Sequence, residues 1–463
     1  MAASAEEIKY RDADSVALKF AVGSALGLLV VVLLGMIMSL QVTNFGSGFS
    51  MLFLNLRGLH IQAVIFAWLS MALMGAIYYA VPRICGRDLL SKKLGDVHFA
   101  LMWVGIVLVV ATLLLGYSEG REYLEPIFVI DLAVVLIWLI FVVNILGTVL
   151  TSGAKVIPYS ALFITASILY LGVNYLVGMV PLRGLQDAVA VWTFAHNEVN
   201  GWFMVGLMGL MYFALPRLTG LEDKAPYNTK LTPIHFWSLM VFIPPSVLHH
   251  LLYKSIPVSE TWKEIGQWTS VGMLIPTVIW TYVVYSYIKN SRKGFTLPLK
   301  FIAVTMVFYF LNCVQGAVQS IRAINDVTHG TQWTIGHAHL ALIGWISLGT
   351  FGVLYFMLPQ LAKRSIRSER AAISQLLFAA GGLVLMWGAL SIGGIIQGTI
   401  LASGQGYYAA REALQSFFLI RAVSGILLAV ASVLFLYNVV ATIRQPAEQR
   451  VIDRTVVGQQ RAS

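Results

Sequence analysis

The chain has 463 residues, 58% hydrophobic and only 11% charged, with a mean hydropathy of +0.79. Soluble domains carry roughly 25% charged residues, so a soluble enzyme is excluded. The net charge of +10 raises nucleic acid as a partner only until the cations are placed, and Cys85 and Cys313 form neither a disulfide framework nor a CxxCH haem attachment.

At roughly 20 apolar residues per crossing, this composition predicts about a dozen membrane helices and leaves nothing for a large extramembrane domain. The opening segment, 1–16, mixes acids and bases and lacks a basic start followed by a cleavage site, so no removable signal peptide is expected. Apolar stretches then predict spans near 17–42, 59–83, 97–117, 127–151, 158–180, 188–216, 232–253, 266–288, 299–321, 333–358, 371–400 and 413–443, before a short tail at 444–463. The fold class is therefore all-α, one polytopic transmembrane domain over 1–463. No 20–50-residue period, low-complexity tract or interdomain linker interrupts it.

Twelve spans place both termini on one side. The termini and the loops of that side hold 22 Lys and Arg, against seven in the opposite loops. The positive-inside rule makes the richer side cytoplasmic. This predicts an integral protein of a bacterial-type inner membrane, surrounded by lipid, with no nucleic-acid partner.

Histidine inside a span is costly and usually functional. Six of the nine fall at one depth in the outer third. His60 opens the second span, His196 lies about eight residues (~12 Å) inside the sixth, His249 and His250 close the seventh, and His337 and His339 open the tenth. A single buried histidine is most often a satisfied core residue; six at one depth suggest a metal-bearing layer. At 100° per residue, His337 and His339 face opposite ways, so one helix can serve two haems. His60 is the unpaired outer-layer partner for His339 in a six-coordinate haem, and His337 leaves the other haem open on one face. His196, His249 and His250 remain, and three imidazoles suit copper, or less securely iron.

These residues resemble the catalytic subunits of haem–copper oxidoreductases, especially C-type oxygen reductases and cytochrome c-dependent nitric oxide reductases. The resemblance covers nearly the whole chain, through RGLHIQAVIFAWL around His60, GREYLEP at 120–126, FAHNEVNGWF around His196, HFWSL with HH at 235–250, THGTQWTIGHAHLALIGW at 328–345 and FLIRAVSG around Arg421. It implies a haem–copper oxidase-like bundle with two b-type haems, a low-spin one on His60 and His339 and a high-spin one on His337. The non-haem metal would rest on His196, His249 and His250. It also implies a further subunit with haem c or copper as electron donor, because this chain has no CxxCH and no cupredoxin-like domain.

Departures from the family pattern decide the expected reaction. Oxygen reductases of this kind carry a tyrosine cross-linked to a ligand histidine, at a position occupied here by Asn200 or, in the C-type, by Ile243. Nitric oxide reductases carry a glutamate at the Asn200 position. Without the phenol that supplies one of four electrons, the favoured reading is nitric oxide reduction, 2 NO + 2 e⁻ + 2 H⁺ to N2O and water. Reduction of O2 by a C-type-like terminal oxidase is the alternative, and a histidine-relay transporter is a third class that explains the spans but not GHAH with HH.

Around this core, Glu198 points about 200° away from His196 and is expected to relay protons. Asn200, on the face of His196, is expected to donate a hydrogen bond to the substrate. By resemblance Glu122 helps hold a calcium near the haem propionates, hard oxygen ligands being what calcium prefers. Arg57 and His329 are placed to pair with propionates. Gln315 replaces a proton-path glutamate of the C-type. His98 and His235, at the inner ends of their spans, are assigned no metal.

Overall fold

The computed structural model describes residues 9–43, 53–153, 157–222, 230–253 and 256–446; most of both tails lies outside that range. Twelve helices are long and apolar enough to cross a membrane. They are α1 (Arg11–Gln41), α2 (Asn55–Cys85), α3 (Lys92–Leu114), α4 (Phe128–Leu150), α5 (Tyr159–Gly178), α6 (Gly184–Thr219), α7 (Leu231–Leu251), α8 (Glu260–Lys289), α9 (Leu297–Gln319), α10 (Gln332–Ala362), α11 (Glu369–Ala402) and α12 (Gln415–Arg444). Each expected span is matched. The boundaries follow capping chemistry: Ser91, Ser259, Thr331 and Ser368 accept first-turn amides at the starts of α3, α8, α10 and α11.

Three helices form the centre. The apolar windows of α2, α6 and α10 are 83–89% buried, against 28–50% for the other nine. These three share a pattern that recurs only at long intervals along the chain: Trp68–Gly75–Tyr78–Pro82, Trp202–Gly209–Tyr212–Pro216 and Trp345–Gly352–Tyr355–Pro359. Each contains a π-helical stretch around its tryptophan: Ala63–Ser70, Glu198–Met204 and Leu340–Ser347. The wider turns are a common mark of functional segments.

The repeated residues do equivalent work. Trp68 donates to Ser347 Oγ at 2.9 Å and Trp202 to Ser70 Oγ at 3.0 Å, tying α2 to α10 and α6 to α2. The glycines admit neighbouring helices; a Cβ on Gly75 would stand 2.7 Å from Phe20 Cβ, and one on Gly209 2.9 Å from Phe163 Cβ. Tyr78 shares a 3.0 Å hydrogen bond with His98 Nδ1, Tyr212 the same with His235 Nδ1, and Tyr355 donates to Gln375 at 2.6 Å. His98 and His235 are thereby explained as partners of buried phenols. The repeat also fixes depth, because His60 and His337 each stand eight residues before their tryptophan, and His196 and His339 six.

Candidate haem and metal centre

α7 contains Pro244 and Pro245 and ends in a tight 3₁₀ turn, Val247–Leu251. Proline removes main-chain donors, and the turn that follows presents two consecutive histidines to one side. α8 lies against this turn at Gly266, where a Cβ would be 2.7 Å from Leu248 carbons and 2.9 Å from the His249 nitrogen. His196 arrives from α6. One ring nitrogen from each of His196, His249 and His250 lies within 4.8 Å of the others, with ring centroids 4.3 to 5.6 Å apart.

Each imidazole is held from behind. His196 Nδ1 meets Asn197 Oδ1 at 3.2 Å, and Asn197 in turn donates to Asn174 at 2.9 Å. His249 Nδ1 meets Ser270 Oγ at 3.0 Å. His250 stacks on Trp192, 4.2 Å between centroids and 8° from parallel. Such outer contacts orient metal-binding rings. Among the described residues no carboxylate joins this group, so the donor set is three nitrogens, which fits copper.

His337 lies within electrostatic reach of His196, whereas His339 and His60 are within reach of each other. His337 Nδ1 faces Gln315 Oε1 at 3.4 Å, and Asn312 donates to the His337 carbonyl at 3.2 Å. Gln315 is itself fixed by Trp387 at 2.9 Å and Ser391 at 3.1 Å. Gln315 therefore buttresses His337, a role invisible in the sequence because α9 and α10 meet only in the fold.

His60 Nδ1 is bound to the Val31 carbonyl at 3.0 Å and His339 Nδ1 to the Ile335 carbonyl at 2.8 Å. With Nδ1 so engaged, Nε2 is the nitrogen by which each ring would hold a haem. Gly35 makes room for His60: a Cβ there would stand 2.9 Å from His60 Cε1. These arrangements fit one haem between two imidazoles and one on His337 facing the three-histidine group.

Glu198 is buried and lines a cavity of about 40 Å³ with Phe66, Ser70, Met74, Leu171 and Tyr175, away from the three imidazoles. The Asn200 amide donates one of its two protons to the His196 carbonyl at 2.9 Å, one turn back on its own helix. Asn174 makes the same bond to the carbonyl four residues back, Tyr170, within an ordinary α-helix.

Arg57 pairs with Glu122, and His329 stacks on Tyr253 with centroids 4.4 Å apart. Burial lowers the pKa of His329. Glu119 accepts the Phe128 amide at 2.8 Å, while Glu125 accepts from Gln62 at 2.5 Å and burial raises its pKa. Glu122, expected near calcium, and its loop neighbours Glu119 and Glu125 thus each have a protein partner, and among the described residues they form no ligand cluster.

Three imidazoles thus converge beside His337, with His60 and His339 paired apart from them, and this arrangement can be set beside known proteins. The sequence profile of the family described as cytochrome c and quinol oxidase polypeptide I matches residues 15–427, and the chain belongs to this family of haem–copper oxidoreductase catalytic subunits. It is 30% identical over 448 residues to cytochrome c oxidase subunit 1 of Rhodobacter capsulatus, covering 91% of this chain and 83% of that one. It is 28% identical to the Cbb3-type cytochrome c oxidase subunit CcoN1 of Stutzerimonas stutzeri, covering 85% and 87%. Similarity to a nitric oxide reductase chain of the same organism is more distant, 24% identity with 88% and 90% covered. A solved haem–copper terminal oxidase dimer superposes with a TM-score of 0.80 at 18% identity, over 94% of this chain and 85% of its own, which establishes the fold. The protein is an integral membrane oxidoreductase whose family implies haems and a copper or iron centre.

Proposed function

We propose that the chain is the catalytic subunit of a terminal oxidoreductase that reduces dioxygen. In this reading His60 and His339 hold a low-spin b-type haem, His337 a high-spin one, and His196, His249 and His250 a copper facing it. The observation that carries the site is the convergence of three imidazole nitrogens within 4.8 Å beside His337. The choice of substrate is supported by whole-chain similarity, which favours the oxidase relatives over the nitric oxide reductase relative and so reverses the order expected from the pocket residues.

The bound metals supply electron storage and gas binding. The protein orients the imidazoles through Asn197, Ser270, Trp192, Gln315 and two main-chain carbonyls. Glu198, a buried carboxyl two residues beyond His196, carries protons toward the pocket. Electrons enter from a separate subunit with haem c or copper at the outer side. The Lys and Arg asymmetry supports a cytoplasmic position for both termini in a bacterial-type cell.

A specific observation favours a second reading, nitric oxide reduction. Ile243 is fully buried at one position where a phenol is expected and Asn200 stands at the other. The aromatic ring packed on a ligand histidine is Trp192. Joining two NO molecules takes two electrons and needs no phenol. Purifying the complex with its electron donor, then measuring metals, O2 consumption and N2O formation, separates the readings. Fast O2 turnover with little N2O supports the first, and N2O formation with slow O2 turnover supports the second. A folded complex without haem refutes both.

A further inference from the structure

Asp131 lies completely buried in the first turn of α4, ~4.5 Å inside its outer end. An ionisable group within a membrane bundle is costly and usually functional. Its Oδ1 accepts a 2.7 Å hydrogen bond from the Tyr175 hydroxyl of α5, and its Oδ2 has no partner among the described residues. No cation among them stands at ion-pair distance: Arg121, whose charge reaches Asp131, is paired with Asp187 at 2.7 Å. Nor does Asp131 cap its helix, since the Phe128 amide at the start of α4 is taken by Glu119 at 2.8 Å. Ion pairing and capping therefore leave this carboxyl unexplained.

Tyr175 connects it to a second buried acid. The phenol lines the cavity of about 40 Å³ that Glu198 and Ser70 also line, and the charges of both Asp131 and Glu198 reach it. That space holds about two waters, for which Tyr175, Ser70 and Glu198 supply the polar partners. Toward the outer side, Glu119 is within electrostatic reach of both Asp131 and Tyr175 and lies in the outer loop, partly exposed, 3.8 Å from Arg121. The buried phenols of α2, α6 and α10 end on His98, His235 and Gln375. That of α5 ends on an acid, with a cavity of water size on its other side.

From this placement we infer that Asp131 and Tyr175 carry protons from the outer aqueous side into the Glu198 cavity, so that part of the protons consumed by the reaction come from outside. The inference rests on the reading of Glu198 as the carboxyl that passes protons toward the pocket. In the step itself the Asp131 carboxyl gives a proton to the Tyr175 oxygen while the phenol gives its own to water in the cavity. The phenol ends as it began, Asp131 is left as a carboxylate, and a proton arriving past Glu119 restores it. No electron moves.

The test follows proton uptake at the outer face of the assembled complex in phospholipid vesicles, with a strongly buffered lumen, a potassium ionophore and a pH dye in the outer medium, during one reaction of the reduced protein with O2. Electron donor supplied only from outside selects complexes whose outer face points outward. The wild type is expected to take up protons from the outer medium within the turnover. D131N and Y175F are each expected to slow that uptake about 100-fold and D131E to restore it, with haem and copper contents unchanged. A wild type that takes up no proton from outside overturns the inference, as do D131N and Y175F at the wild-type rate. Slowed uptake accompanied by loss of haem or copper marks a structural role and overturns it too. Should D131N fail to assemble, Y175F decides, because the phenyl ring keeps its packing on Phe194, and outer uptake at the wild-type rate in Y175F refutes the inference. E198Q separates the two levels: slow turnover there beside unaltered D131N and Y175F defeats only the outer connection, whereas unimpaired turnover in E198Q defeats the reading of Glu198 beneath it.

Discussion

Gly35→Ala should remove or displace the low-spin haem while leaving the helix that carries it as stable as before. A Cβ at this position lies 2.9 Å from His60 Cε1, where ordinary contact begins near 3.4 Å, so the ring must retreat by about 0.5 Å. Val31, one turn earlier on α1, accepts the His60 Nδ1 hydrogen bond at 3.0 Å, and the retreat lengthens it. Overpacking costs typically 1–3 kcal/mol and a weakened hydrogen bond ~1 kcal/mol. Together ~2–4 kcal/mol correspond to a 30-fold to 1000-fold loss of haem affinity. Alanine is by itself ~1 kcal/mol better than glycine within a helix, so the loss cannot be ascribed to a weaker α1. The assay is haem content per chain with the reduced low-spin absorption band, read beside the high-spin band and the copper content. A Gly35→Ala protein with full low-spin haem at the wild-type position and intensity refutes the reasoning.

Other substitutions probe the rest of the site. Gln315→Leu removes one of the two side chains at His337 Nδ1, the other being Asn312 at 3.3 Å, and should weaken high-spin haem binding about 10-fold, measured by haem content and the carbon monoxide difference spectrum, with the low-spin haem unchanged. His250→Ala should abolish the single copper per chain by elemental analysis while both haem bands persist; one additional iron in place of copper in the wild type contradicts the donor-set argument. Asn200→Ala, losing the bond to the His196 carbonyl, should cost ~1 kcal/mol of stability and leave most turnover intact; near-complete loss of turnover in a stable protein shows that the amide acts on substrate. At the end of α10, Lys363 has φ +54° where α2 and α6 use Gly86 and Gly220, so Lys363→Gly should raise thermal stability by ~0.5–1 kcal/mol, and a lower melting temperature argues against strain there.

Composition alone determined the membrane class, because 58% apolar residues admit no other solvent for so many helix faces. Helical geometry determined nearly as much of the site: a separation of two sends His337 and His339 to opposite faces wherever α10 packs, and six histidines at one depth must share a layer. Local spacing could not anticipate contacts between helices far apart in the chain. The pairing of Arg57 with Glu122, the support of His337 by Gln315 and the bond of Tyr175 to Asp131 depend on which faces of α2, α9 and α5 meet their neighbours. For Asn200, spacing alone left open whether the amide serves the pocket or bonds to the carbonyl one turn back, as it does to His196. The threefold pattern of tryptophan, glycine, tyrosine and proline is written in the sequence at long spacing, but its meaning as three equivalent helices around one centre is set by tertiary packing, where each tryptophan or tyrosine finds its partner on another helix.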